Sequence, residues 1–232
     1  MSNQKVAYGF FSFTEVTDPA AHRAYNEWHQ LDHLPEQFPL AGIVYGQRWV
    51  STPACRAARA VSGPDLDPIH YVTCYLMSEP IEPTLDDFFA LGAELHRLDR
   101  FFKPRRAHLT GPFRVEGTGV APRVLISAAA VPYRPHRGVY VIVAAPGGDA
   151  TATAEALLAV PGVAGVWTFA TNPALVSPRW TAGTRNITLA WLDDDPLAVA
   201  SRLAPLVDGA TGVELAGPLA TITPWEWDWF DR

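Results

Sequence analysis

The chain has 232 residues, 48% hydrophobic and 18% charged, which is apolar material enough for one large core or two small ones. A net charge of −6 and a pI near 5.6 leave no basic field to gather phosphates, which argues against nucleic acid as a partner. Two cysteines, Cys55 and Cys74, with no CxxC pair exclude a zinc ribbon or a disulfide scaffold.

No apolar run approaches the roughly 18 residues that a membrane span needs. Met1–Lys5 lead into an apolar strand without the charged start, long apolar stretch and cleavage site of a signal peptide. The expected location is cytoplasmic, with both thiols free.

Val6–Phe13 is rich in aromatic and β-favouring residues and predicts a first strand. Asp18-Pro19 opens a helix, with a capping oxygen followed by a proline whose missing N–H costs nothing there. Ala21, Ala24, Tyr25, Trp28 and Leu31 form its buried stripe, and Pro35 and Pro39 are expected to end it after Leu34. Gly42 opens a second strand, Ile43–Val50. Residues 51–68, with clusters of Pro, Gly, Ser and Asp, predict a long loop.

A third strand follows at His70–Met77. A second helix starts near Thr84, with Asp86 and Asp87 in its first turn, and runs to Arg97. Arg106–Val115 supplies a fourth strand, expected to break at Gly111-Pro112. The order strand, helix, strand, strand, helix, strand is the split βαβ arrangement.

The order then repeats. Arg137–Ala145 predicts a strand, Asp149 caps a helix over Ala150–Val160, and Val163–Ala170 and Asn186–Trp191 predict strands. Asp195-Pro196 starts a helix to Val207, and Val213–Thr223 closes the series. Two local echoes support a duplication. Pro39–Val44 resembles Val160–Val163, and Leu109–Phe113 resembles Leu215–Leu219. From Gly42 to Gly162 is 120 residues and from Gly111 to Gly217 is 106, as a shorter loop in the second copy would give.

The expected layout is therefore an N-terminal repeat at 1–116, a Gly- and Pro-punctuated linker at 117–136 in which Val124–Val131 could add a short strand, and a C-terminal repeat at 137–232. The alternating aromatic and acidic tail, Pro224–Phe230, is expected to dock on the body of the fold or on a second copy.

Trp28-His29-Gln30-Leu31-Asp32-His33-Leu34-Pro35-Glu36, then Pro39–Ile43 and Arg48-Trp49, resemble the dimeric α/β-barrel superfamily. There a first helix ends in an aromatic–acid–His–x–Pro pattern, before a glycine turn and an arginine-bearing strand. The resemblance covers about the first 115 residues, and the second half by layout only. It implies an α+β fold: two tandem ferredoxin-like (βαββαβ) repeats whose antiparallel sheets close an α/β barrel within one chain, as a monomer or a homodimer. The superfamily includes cofactor-free monooxygenases, cyclases, isomerases, haem enzymes and proteins of no known activity, so the fold selects no reaction.

Six of the seven histidines, His22, His29, His33, His70, His96 and His108, lie in the first half, which predicts a single site there. Tyr25, His29 and His33 share one helical line, with Asp32 and Glu36 near enough to fix a tautomer and raise a pKa. His33 matches the superfamily histidine. His29, His33 and His70 are the candidate acid–base residues, with His70 expected to share a face with Val72, Cys74 and Leu76. Tyr8, Tyr25, Trp28, Tyr45, Arg48, Tyr75 and His96 are candidates for substrate binding, the aromatics suiting a flat apolar or phenolic ligand.

His29 and His33 also have metal-ligand spacing, but the Glu of HExxH is missing and no metal is expected. No Gly-rich phosphate loop or GxSxG elbow occurs. The leading expectation is a small-molecule enzyme of cyclase, isomerase or cofactor-free monooxygenase type. The alternatives are a haem or flavin oxidoreductase using the same cavity and a non-catalytic binding barrel.

Overall fold

The computed structural model describes residues 5–147, 150–175 and 177–231. The strands are β1 (Val6–Val16), β2 (Ile43–Val50), β3 (Val61–Ser62), β4 (Tyr71–Ser78), β5 (Arg105–Val120), β6 (Gly138–Ala144), β7 (Val163–Thr171), β8 (Asn186–Leu192) and β9 (Val213–Thr221). The helices are α1 (His22–Trp28), α2 (Leu34–Gln37), α3 (Pro53–Ala57), α4 (Ile81–Arg97), α5 (Ala150–Leu158) and α6 (Pro196–Val207). Among the described residues, no helix is long and apolar enough to cross a membrane.

The sheet runs β2-β4-β1-β5-β7-β8-β6-β9 and returns to β2, so it closes. Within the first half the order by position is second, third, first, fourth strand; β7-β8-β6-β9 repeats it. The fourth strand of each half pairs antiparallel with the second strand of the other, which is the pattern of a pseudo-twofold barrel closed inside one chain. One seam is long, Phe113–Val120 of β5 against Thr171–Gly165 of β7. The other joins only Trp49 to Thr221 and Val50 to Ala220.

Strand alternation assigns the two faces. Phe11 and Phe13 of β1, Val72, Cys74 and Leu76 of β4, and Trp49 of β2 point inward, where they meet Val141, Trp167, Leu189 and Trp191 of the second half in one core. The barrel interior is therefore filled. The helices cover the outer face, with α5 and α6 on the second half and α4 on the first.

Four features differ from the sequence reading. The first helix does not stop at Pro35 but continues to Gln37 through a π-helical turn at His29–His33. Residues 51–68 hold α3 and the two-residue β3, which pairs with β9 beside the short seam; two residues are too few for any period to show. β5 runs unbroken through Gly111-Pro112 to Val120, because Pro112 sits in the ladder opposite Phe10 without interrupting it. Residues 128–133 form a 3-10 turn rather than a strand. The tail takes one of the two placements expected for it and docks on its own barrel, with Trp227 buried against Val16, Tyr25 and Tyr71 and Phe230 stacked on His22 at 3.9 Å. The expected cap at Asp149 lies outside the described residues.

The sequence echo at Gly42 and Gly162 is a structural equivalence. Both precede the second strand of their half, and both have left-handed backbone, φ 86° and 95°. Each leaves no room for a Cβ, since the side chain of Thr84 on α4 fills that space at Gly42, and Val199 Cγ2 on α6 would lie 2.6 Å away at Gly162. Alanine at either position therefore meets strain and a clash together. G42A and G162A should each lower stability by about 1–3 kcal/mol, read as a fall of several degrees in thermal unfolding. A neutral effect at either glycine would break the equivalence.

Candidate active site

The outer faces of β1, β4 and β5, under α1, α2 and α4, enclose a cavity of about 500 Å3. Alternation supplies its floor: Phe10, Ser12 and Thr14 from β1, and Thr73 and Tyr75 from β4. The wall comes from Trp28, His29, His33 and Gln37, and the opposite side from Phe88, Phe89 and His96 of α4 with Phe101. Arg105, Ala107 and Thr110 of β5 complete it, with Arg179 from the second half. A cavity of similar size, about 500 Å3, in the second half is lined, among the described residues, by neutral side chains that include Ile142, Thr188 and Leu206.

The histidines owe their placement to the π turn. Leu34 donates its backbone N–H to the carbonyl of His29, five residues back. Pro35 has no N–H to give Leu31, so the helix must loosen around that carbonyl, and the wider turn does so. A turn of this width brings residues four apart nearly into line. His29 and His33 pack edge-to-face at 5.1 Å, and His33 lies flat against Trp28 at 4.7 Å. His29 Nε2 is 3.4 Å from the Thr73 hydroxyl.

β5 reaches the cavity through a bulge. Phe13 pairs with Leu109, yet Thr14 pairs with Ala107, so His108 is the extra residue. The bulge reverses the parity of the strand start and turns Arg105 and Ala107 outward to the cavity. The Arg105 guanidinium lies over Phe101 at 4.5 Å and Trp28 at 5.5 Å. Its Nε is buried and has no hydrogen-bond partner. His108 turns the other way and pairs with Glu15 at 2.8 Å.

Arg48 is fully buried but stands behind the histidines rather than at the cavity. Its guanidinium donates to Asn26 Oδ1 at 3.0 Å and Gln30 Oε1 at 3.4 Å, and lies over Tyr25 and Tyr71. Asn26 in turn donates to the Tyr71 hydroxyl, which also meets His22 Nδ1 at 3.0 Å. Asp32 and Glu36, expected beside the histidines, both pair with Arg100 at 2.7 Å. That ion pair draws them to the opposite side of the helix. Among the described residues no three His, Cys, Asp or Glu side chains converge as a metal site would need.

Of the residues expected at the site, the cavity gathers Trp28, His29, His33, Tyr75 and His96. Tyr25 lies one row below, packed on Trp28, His29 and Tyr71. Tyr8 shares the outer face, but its hydroxyl accepts from Asn172 at 3.0 Å and it lies beyond the cavity. Tyr45 points away, onto Tyr133, because alternation places Gly46 and Arg48 on the helix side.

His70 also falls outside the cavity. Val72, Cys74 and Leu76, expected to surround it in a pocket, face the filled interior. His70 instead accepts from the Val16 backbone N–H and packs against His22 and Phe230. Sequence reasoning missed Arg105, Thr73, Phe88, Phe89 and Arg179; the Phe88-Phe89 pair on a helix was the one visible signal.

Burial lowers the pKa of His33 to about 3, with Arg105 and then Arg48 adding to the effect. His29 is likewise held well below 6.5 by burial, then by Arg48 and His33. Both imidazoles are neutral at neutral pH. Burial raises the Tyr75 hydroxyl well above the ordinary tyrosine value, so it stays protonated.

No family model and no curated protein sequence matches the chain. Among solved structures, the candidate chlorite dismutase TA0507 aligns over 97% of this chain and 98% of its own, at 10% identity and a TM-score of 0.51. A chlorite dismutase from Candidatus Nitrospira defluvii aligns over 98% and 94%, at 12% identity and a TM-score of 0.46. A candidate monooxygenase from Lactobacillus acidophilus NCFM aligns over 94% and 96%, at 9% identity and a TM-score of 0.42. The shared fold is a barrel closed by two tandem ferredoxin-like halves within one chain.

Haem is a cofactor that the sequence leaves open, but the histidines of this cavity do not fit a haem iron. A ligating histidine is held by a hydrogen bond from its other ring nitrogen, whereas Nδ1 of His33 has no partner among the described residues, and His29 turns Nε2 to the Thr73 hydroxyl and keeps Nδ1 buried. His96 is stacked flat on Phe101 at 4.0 Å.

The lowered histidines make stability pH-dependent. Besides His29 and His33, burial brings His22 and His70 down to about 4. Below the ordinary value of 6.5 the unfolded chain takes up protons that the folded chain refuses, so stability is full above that pH and falls as pH drops toward 4. Thermal unfolding should occur on the order of 10 °C lower at about pH 5 than at about pH 7. A midpoint independent of pH over that range would contradict the burial of these rings.

Proposed function

We propose that this chain is an enzyme that binds an apolar, aromatic small molecule in the first-half cavity and moves protons with His29 and His33. One observation carries the reading. Nδ1 of His29, Nδ1 of His33, Oε1 of Gln37, Nε of Arg105 and the Tyr75 hydroxyl are all buried without hydrogen-bond partners, and all belong to residues lining this cavity. Buried polar atoms are normally satisfied, and a convergent unsatisfied set is best explained by a ligand that completes it.

The chemistry follows from the protonation states. A neutral imidazole can accept a proton from carbon next to a carbonyl, and Tyr75, held protonated, can donate to the oxygen on which charge develops. Arg105 favours that charge electrostatically. His33, facing the cavity from the π turn, is placed to be the base. His29, with Thr73 at its Nε2, is placed to relay the proton or orient its neighbour. Cyclisation, isomerisation and oxygenation of an activated aromatic share this step, which is why the reading stops at proton abstraction.

The test needs no natural substrate. Exchange of the activated α-hydrogens of β-tetralone in deuterium oxide, followed by proton NMR, should be accelerated by the protein over buffer. H33A should cut the acceleration by about 100-fold or more, the usual contribution of a positioned acid–base group, and H29A by less. H70A should leave it unchanged. No acceleration by the wild type, or full acceleration by a folded H33A/H29A double variant, would overturn the reading.

A further inference from the structure

The charge balance of the cavity identifies its ligand more narrowly. Its lining includes Arg105 and Arg179 and no aspartate or glutamate. Asp32 and Glu36 pair with Arg100, and Glu15 pairs with His108. The Arg105 side chain makes no hydrogen bond or ion pair with any described residue. Only the faces of Trp28 and Phe101 attend to it.

A largely buried guanidinium without a counter-charge is costly in a folded chain. Cation–π contacts offset part of the cost and leave its in-plane donors free. Phe10, Phe88 and Phe89 form the apolar end of the same cavity, Phe10 and Phe88 at 4.8 Å between ring centres, and Arg179 lies over Phe89 at 5.2 Å.

We infer that the ligand is an aromatic acid, whose carboxylate or comparably acidic oxygen pairs with Arg105 while its ring system lies against Phe10, Phe88 and Phe89. This rests on reading the cavity as the substrate site, and it assigns specificity to Arg105, a residue separate from the proposed base. A planar anion suits the fork of an arginine, which can meet two oxygens at once. Arg179, on the segment before β8, adds a second positive charge to the same cavity and favours entry of an anion.

The experiment compares two probes of one shape, β-naphthoate and β-naphthamide, by isothermal titration calorimetry at neutral pH. The acid should bind the wild type at least about tenfold more tightly than the amide, as charge-assisted pairing predicts. R105M should abolish that preference while keeping its affinity for the amide, and R105K should restore part of it. Thermal unfolding of R105M should be unchanged or higher, because an uncompensated charge has been replaced by an apolar chain of similar length. That result separates lost recognition from lost folding.

Equal affinity of the wild type for both probes, binding of neither, or a preference undiminished in R105M would overturn the inference. The proton-transfer reading fails differently. H33A would then still prefer the acid, and exchange of β-tetralone, which has no acidic group, would be unaffected by the histidine variants.

Discussion

In a closed antiparallel sheet every side chain faces either the shared interior or the helices outside, and one residue of slip exchanges the two. The whole site depends on that parity. Phe11, Phe13, Val72, Cys74 and Leu76 fill the inside, so the residues between them, Phe10, Ser12, Thr73 and Tyr75, must line whatever space remains under the helices. Simple alternation along β5 from Leu109 would have sent Arg105 into the apolar barrel interior, where a guanidinium has no partner. The bulge at His108 prevents that and brings the charge into the cavity. A bulge beside a candidate site is a familiar way to re-aim one side chain.

The helical wall solves a related problem. Pro35 within a helix leaves a carbonyl without its bond and crowds the turn before it. Ending the helix would be one answer, and the sequence reads that way. The chain instead widens the turn at His29–His33 and resumes the helix to Gln37. Both imidazoles face the cavity, as their four-residue spacing on a helix allows. The loosened segment is held from outside by Arg100, which takes two of its acids, and from below by Trp28, whose indole N–H donates to the Arg100 carbonyl at 2.7 Å.

Element order was legible in the sequence because it rests on period and punctuation. The strand Ile43–Val50 and the helix Pro196–Val207 stand where alternation and the Asp195-Pro196 start place them. The closing of the sheet within one chain was implied by the family resemblance together with the tandem layout, not by any residue pattern. Trp28, His29, His33, Tyr75 and His96 were legible as site residues through their types and, for the two histidines, their helical spacing. Arg105 was not, because it lies just before the expected strand Arg106–Val115 and the bulge that aims it leaves no mark in the sequence. Arg48 and His70 were placed at the cavity because their local strands permit it. Their true partners, Asn26 and Gln30 for one and the docked tail for the other, are long-range and invisible to any local pattern.

Burial keeps the histidines uncharged, and the neutral amides around Arg48 add to the effect. Had Asn26 or Gln30 been a carboxylate, the arginine would have been neutralised and an anion would stand close behind His29. Its imidazole would then be drawn toward the charged form. An amide oxygen satisfies the guanidinium hydrogen bond at 3.0 Å without cancelling its field. Arg48 and Arg105 thus both oppose protonation of the pair, while Asp32, the one acid that would favour it at His33, is turned toward Arg100. The same arrangement sets up a field that only an incoming anion relieves. An anion beside Arg105 would oppose that field and raise the basicity of both imidazoles.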